Sequence, residues 1–363
     1  METQSGSAAR LSRRQLFGAA GKLGLAAAAT SLVPRAMADH GGDDNRPSAG
    51  DIAILRFLAA AELIETDFWQ QYSAIVASND RFAEALSTLD EDMPTYVDQN
   101  TADELAHATF INGYLQSIGA PPVDLTPFRT LPAPPGDNQA TRITNLRHLT
   151  IDTSFWNRYV STGNPDLGDT FPQIVDIVNR PTVPLSNNLT DNQMLGIAFS
   201  AGFHFPSIEQ GGASLYTGLL SFVSSPEVLA IVASIGPTEM AHYMIWRDKV
   251  GNVTAVDTGD GLVFPDISSD PNHNQVMPKP CHFLRQSLPL CSIVRPIRKV
   301  NAGAVAAANF LTNSGLFTGQ SQNFFNTLFR LARAADRAQR GREEAAAQNL
   351  DSTIEPFVQE TPQ

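Results

Sequence analysis

Cysteine is nearly absent: only Cys281 and Cys291 occur in 363 residues. That excludes a disulfide-built scaffold, and with neither a CxxC spacing nor a full ligand set nearby it argues against a cysteine zinc module. Basic charge is also scarce, with 25 Lys and Arg against 37 Asp and Glu and a net charge of −12. A chain of that sign repels phosphate backbones, so nucleic acid is not an expected partner. Near the N-terminus, a long unbroken apolar run is missing as well. The Ala-, Gly- and Leu-rich stretch 18–33 is interrupted by Lys22. It cannot offer the ~20 lipid-compatible residues of a spanning helix, which argues against a stable membrane anchor. What remains is ordinary for a folded protein: 42% apolar and 17% charged residues.

The first forty residues carry an address. Ser12-Arg13-Arg14-Gln15-Leu16-Phe17 precedes the apolar stretch, and Pro34 and Ala36-Met37-Ala38 follow it. A charged start, a modest apolar segment and an A-x-A site make a secretory signal peptide, and the paired arginines resemble the twin-arginine type. The expectation is export to the periplasm or beyond, with residues 1–38 removed. The mature chain would then keep 20 basic against 36 acidic residues, a net charge of −16. In an oxidising compartment, Cys281 and Cys291 are expected to close one local disulfide.

A linker, residues 39–50, leads to four long helical candidates within 51–251. The first runs from about Asp51 to Ala77, with Ile54, Leu55, Leu58, Ala61, Ile64 and Phe68 at helical spacing. The second runs from about Thr95 to Ile118 and is stopped by Gly119 and two prolines. An irregular, proline-rich stretch follows to about Leu189, with a short helix expected near Arg142–Tyr159. A connection that long is unusual inside a compact domain, but suits the crossover between the second and third helices of a four-helix bundle. The third helix is expected over about Asp191–Phe222. The fourth begins at Ser225-Pro226-Glu227 and ends at Gly251. Pro206 and Pro237 sit inside these two and are expected to bend or split them. Residues 252–363 form an extension with an Ala-rich segment and an amphipathic one, Gln320–Arg340.

Chemistry enters through two E-x-x-H motifs, Glu104-Leu105-Ala106-His107 and Glu239-Met240-Ala241-His242. Residues at i and i+3 share a helix face, so one carboxylate and one imidazole reach a common point. Thirteen Glu and seven His, scattered at random, give about a quarter of one such match. The other two helices each offer an acid on an apolar face: Glu209, with Tyr216 seven residues later, and Glu62, with Trp69 at the same offset. Glu65, with Tyr72 at its own +7 position, competes with Glu62. The order along the chain is Glu, Glu-x-x-His, Glu, Glu-x-x-His, the ligand inventory of dinuclear carboxylate bundles. Four carboxylates balance the charge of two divalent ions, and hard O and N donors suit Fe, Mn or Zn. Of the remaining histidines only His204, five residues before Glu209, is placed to approach such a site.

At these residues the chain resembles the ferritin-like domain family, in the branch shared by secreted bacterial and desiccation-related plant proteins. The stretch Phe57-Leu58-Ala59-Ala60-Ala61-Glu62-Leu63-Ile64-Glu65-Thr66-Asp67-Phe68-Trp69 is similar to that branch's first helix, and Ile208-Glu209-Gln210-Gly211-Gly212-Ala213-Ser214-Leu215-Tyr216 to its third. The resemblance implies an all-α, ferritin-like four-helix bundle with a dinuclear site formed by Glu62, Glu104, His107, Glu209, Glu239 and His242. The occupants would be two Fe or Mn ions, and the partner a small oxidant such as oxygen or peroxide. Trp69 departs from the family's usual Tyr and removes a phenol from that side. A non-catalytic stress or envelope protein that keeps the bundle is the alternative expectation.

Overall fold

The computed structural model describes residues 46–162, 171–178, 180–259, 261–283, 285–293 and 303–351, which are mainly helix and connecting loop. The twin-arginine segment and most of the expected linker lie outside the described residues. Helix α1 (Ala49–Ser78) opens with a capping box: Ser48 Oγ accepts the Asp51 N–H, and the Asp51 carboxylate accepts the Ser48 N–H. A short helix α2 (Asp80–Ser87) follows, capped by Asn79, and then α3 (Met93–Ser117), with a proline in its first turn.

The crossover is ordered by α1 rather than by regular structure of its own. Among its described residues are the two-residue strands β1 (Leu131–Pro132) and β2 (Thr141–Arg142), paired antiparallel, two three-residue 3-10 turns (Thr126–Phe128 and Leu146–His148) and the short α-helix α4 (Phe155–Val160). Asp67, buried on α1, accepts the backbone N–H of Ile143 and of Thr144, both at 2.9 Å, and the Thr144 hydroxyl at 2.8 Å. Gln71, one turn later, donates to Thr144 Oγ1 at 3.0 Å. These bonds satisfy backbone groups that a buried loop would otherwise leave bare.

The two prolines act differently. The expected third helix is split into α5 (Asp191–His204) and α6 (Pro206–Leu220), with Pro206 opening the new helix, where its missing N–H costs nothing. Helix α7 (Pro226–Gly251) runs on through Pro237. Pro237 and Ala233, whose carbonyl loses its partner, are both exposed, so water can take the place of the missing bond. The start of α7 is tied to α1, because Asp51 also accepts the N–H of Ser224 at 2.7 Å and of Ser225 at 3.2 Å. Among the described helices α7 alone has the length and apolar content of a membrane span; it nevertheless buries an acid and a histidine and packs along α6, as a core helix does.

After α7 come the paired strands β3 (Val256–Asp257) and β4 (Val263–Phe264), then α8 (Ala304–Asn313) and α9 (Gln322–Asp351). The main pairings are α1 with α3 and α6 with α7, and α9 lies along α1. The extension therefore contributes to the same core: Ala307 and Ala308 of α8 and Leu328, Leu331 and Ala332 of α9 are buried. The expected disulfide is not formed. Cys281 and Cys291 exchange both backbone hydrogen bonds at 3.0 Å, but their thiols are free, and Cys291 Sγ turns to the Ser292 carbonyl.

Candidate metal centre

Four helices each send one carboxylate to the same buried place: Glu62 from α1, Glu104 from α3, Glu209 from α6 and Glu239 from α7, each at most 1% exposed. His107 and His242, one turn beyond Glu104 and Glu239, join them from two sides. The six residues fall into two overlapping groups, Glu62, Glu104, His107 and Glu239, and Glu104, Glu209, Glu239 and His242. Within each group, one ligand atom per residue lies within 4.8 Å of the others. Glu104 and Glu239 are shared; Glu62 with His107, and Glu209 with His242, close the two ends.

The contacts follow that division. His107 Nδ1 lies 3.4 Å from Glu62 Oε2, 3.4 Å from Glu104 Oε2 and 3.2 Å from Glu239 Oε1. His242 Nδ1 lies 2.9 Å from Glu104 Oε1 and 3.5 Å from Glu209 Oε2. Even so, Glu62 Oε2, Glu104 Oε2, Glu209 Oε2, both oxygens of Glu239 and both Nδ1 atoms are buried without a hydrogen-bond partner. Burial of that many bare acceptors is far outside the ordinary pattern.

Electrostatics sets the protonation of the metal-free cluster. Two like charges 4.8 Å apart repel by about 3.5 kcal/mol at an effective dielectric of ~20. Burial, reinforced by the neighbouring carboxylates, drives Glu239 well above the ordinary carboxyl range; burial likewise lifts Glu104 to about 7, against the histidine contacts. Burial alone would lower the two histidines, but the carboxylates around them prevail and raise both to about 12. Without metal, protons occupy positions that metal cations would otherwise take. Two divalent ions would neutralise four carboxylates and use the bare oxygens and the Nδ1 atoms, so this donor set fits them.

Several side chains hold the ligands in place. His242 Nε2 lies 3.2 Å from Asp103 Oδ2, so Asp103 can accept the Nε2 proton and leave Nδ1, which faces Glu104 and Glu209, as the nitrogen that would give up its proton to a metal ion. Asn100 Nδ2 donates to Glu104 Oε1 at 3.3 Å and to Glu209 Oε1 at 3.1 Å. The Tyr96 hydroxyl is shared between Asn100 Oδ1 at 2.8 Å and the His242 carbonyl at 3.0 Å. Tyr216 donates to Glu62 Oε1. The sequence reading did not single out Tyr96, Asn100 or Asp103. Tyr96 and Asn100 stand two turns and one turn before Glu104 on the same face, a spacing that points to them once Glu104 is known.

The helices also approach closely enough to bring the ligands together. A Cβ at Gly212 would lie 2.6 Å from Glu239 Oε2, and one at Gly236 would lie 2.7 Å from Tyr216 Cβ. A side chain at 236 would collide with Tyr216 where it leaves its backbone, and one at 212 would push the Glu239 carboxylate from its place. Glu65, the competitor of Glu62, is not part of either group. His204 lies elsewhere: its Nδ1 accepts the Asp152 N–H at 3.0 Å. Trp69 stacks on Trp246 with ring centroids 5.5 Å apart. Comparison with known proteins returns no matching family model, no matching curated protein and no matching solved structure.

Proposed function

We propose that the chain is a ferritin-like carboxylate protein that binds two Fe or Mn ions and acts on oxygen or peroxide. The observation that carries this reading is the set of buried, unpartnered ligand atoms from four helices, grouped as two overlapping metal-sized clusters. Without metal the four acids are held only by shifted protons and a few donors, whereas two divalent cations would balance their charge directly. When bound, the ions would supply Lewis acidity and redox equivalents. Glu104 and Glu239, common to both groups, would help hold both ions, with Glu62 and His107 in one group and Glu209 and His242 in the other. Asp103 would fix the His242 tautomer, and Tyr216 would hold Glu62. His107, whose side chain is 12% exposed, is the least buried member and marks the side nearest solvent. The six residues fit the ligand inventory of dinuclear carboxylate bundles, one Glu from each of two helices and Glu-x-x-His from the other two.

Purified wild-type protein is expected to carry about two Fe or Mn ions per chain by elemental analysis. Glu104→Ala and Glu239→Ala are expected to remove most of that metal, and Glu65→Ala to leave it. Wild-type protein that holds no transition metal after incubation with Fe(II) or Mn(II) under nitrogen would sink the reading.

A further inference from the structure

Beside the carboxylate cluster lies a cavity of about 40 Å³ between α1, α6, α8 and α9. Its walls include Phe57, Phe68, Ile208, Ala307, Ala308 and Leu328. Glu65 is its one ionisable lining residue, and Glu65 Oε1 is buried with no hydrogen-bond partner. The wall toward the cluster is thin. Gly212 lines the cavity, and a Cβ there would sit 2.6 Å from Glu239 Oε2. Ala61 and Glu65, which also line it, flank Glu62 on α1. A few ångströms of glycine backbone thus separate an apolar space from the Glu239 carboxylate.

Size and polarity restrict what can enter. Holding a water molecule requires roughly 10–15 Å³ of such space together with two or more polar partners. This cavity has the room but offers little beyond one carboxyl, so water and peroxide gain few hydrogen bonds in it. Apolar cavities of this kind stay dry and admit small apolar guests such as xenon.

We propose that this cavity is the holding site from which dioxygen, rather than peroxide, reaches the Glu239 side of the cluster, a role that rests on the dinuclear reading above. Helices α8 and α9 belong to it: they supply the outer wall, so the C-terminal extension completes the site instead of forming a separate module.

The test uses the full chain and two readouts. Metal-free crystals pressurised with xenon are expected to show xenon between α6 and α8. Ala307→Leu, with Ala308→Leu as a second variant should the first fold poorly, is expected to exclude it. In Fe(II)-loaded protein the same variant should keep its metal content, react about tenfold more slowly with dioxygen, and react with peroxide at the wild-type rate. Absence of xenon from wild type, an unchanged dioxygen rate in the filled variant, or equal slowing with both oxidants would overturn the assignment. A wild-type chain that takes up no metal would overturn it together with the dinuclear reading, whereas a metal-binding chain without xenon would overturn it alone.

Discussion

Asp103 stands outside the ligand set and is more than half exposed, yet it decides which nitrogen of His242 faces the carboxylates. A carboxylate that accepts one imidazole N–H fixes the other nitrogen as a lone-pair donor and raises its basicity. Asp103→Asn keeps the size and removes the charge. Metal affinity is expected to fall by about 10- to 100-fold, with little change in folding, since the side chain buries little. Competition against a chelator of known affinity measures it; an affinity equal to wild type would show that the Asp103 contact is incidental. At this scale the sequence was informative where chemistry repeats. Glu104, His107, Glu239 and His242 were legible because E-x-x-H recurs, and Glu62 and Glu209 because acids on apolar faces require a reason. The choice of Glu62 over Glu65 was not legible from spacing. Both lie on the first helix near the right turn, and only the approach of α3 and α7 brings Glu62 Oε2 to His107. Asp103 could not be found at all, since its partner is 139 residues away.

Among elements, the junction of α5 with α6 shows how local signals and tertiary contacts divide the work. Pro206 announces a break, and the structure places it at the first turn of α6. What the proline does not announce is that His204, the last residue of α5, anchors the crossover by accepting the Asp152 N–H. That histidine is fully buried, and burial lowers it to about 4 against the opposing pull of Asp152. In the unfolded chain it takes a proton below about 6.5, so the folded state resists protonation that the unfolded state accepts. Its contribution is present above pH 6.5 and is lost as pH falls from there toward 4, by up to about 3 kcal/mol. The raised carboxyls of Glu104 and Glu239 act in the opposite sense over this range, so urea titrations at pH 7, 5.5 and 4.5 should show wild type losing stability relative to His204→Gln as pH falls. Equal slopes would mean that His204 does not set the acid limb. The main helices were legible to within about two residues at most ends, because their apolar spacing and stops are strong. Helix α2 and the route of the crossover were not, since they are held by non-local bonds such as Asp67 to Ile143 and Thr144.

The whole molecule is organised around a cost that its interior cannot offset alone. Four acids from four helices meet in one buried place, and the glycines at 212 and 236 leave room there for the Glu239 carboxylate and for Tyr216. Metal loading should therefore be coupled to the stability of the entire described fold, and Glu239→Gln separates the two contributions. In the metal-free protein burial pushes Glu239 well above the usual carboxyl range, toward its neutral form. Glutamine is close to a neutral glutamic acid in shape and polarity, so the metal-free variant should unfold within about 1 kcal/mol of metal-free wild type. Adding Fe(II) or Mn(II) under nitrogen should raise the wild-type Tm progressively with concentration, because ligands of the native state stabilise it by mass action. The variant lacks a charge common to both groups and should not respond. A variant whose Tm rises in parallel with wild type would show that the added metal acts elsewhere on this acidic surface. One that unfolds far below metal-free wild type would show that Glu239 is needed for packing before any ion arrives.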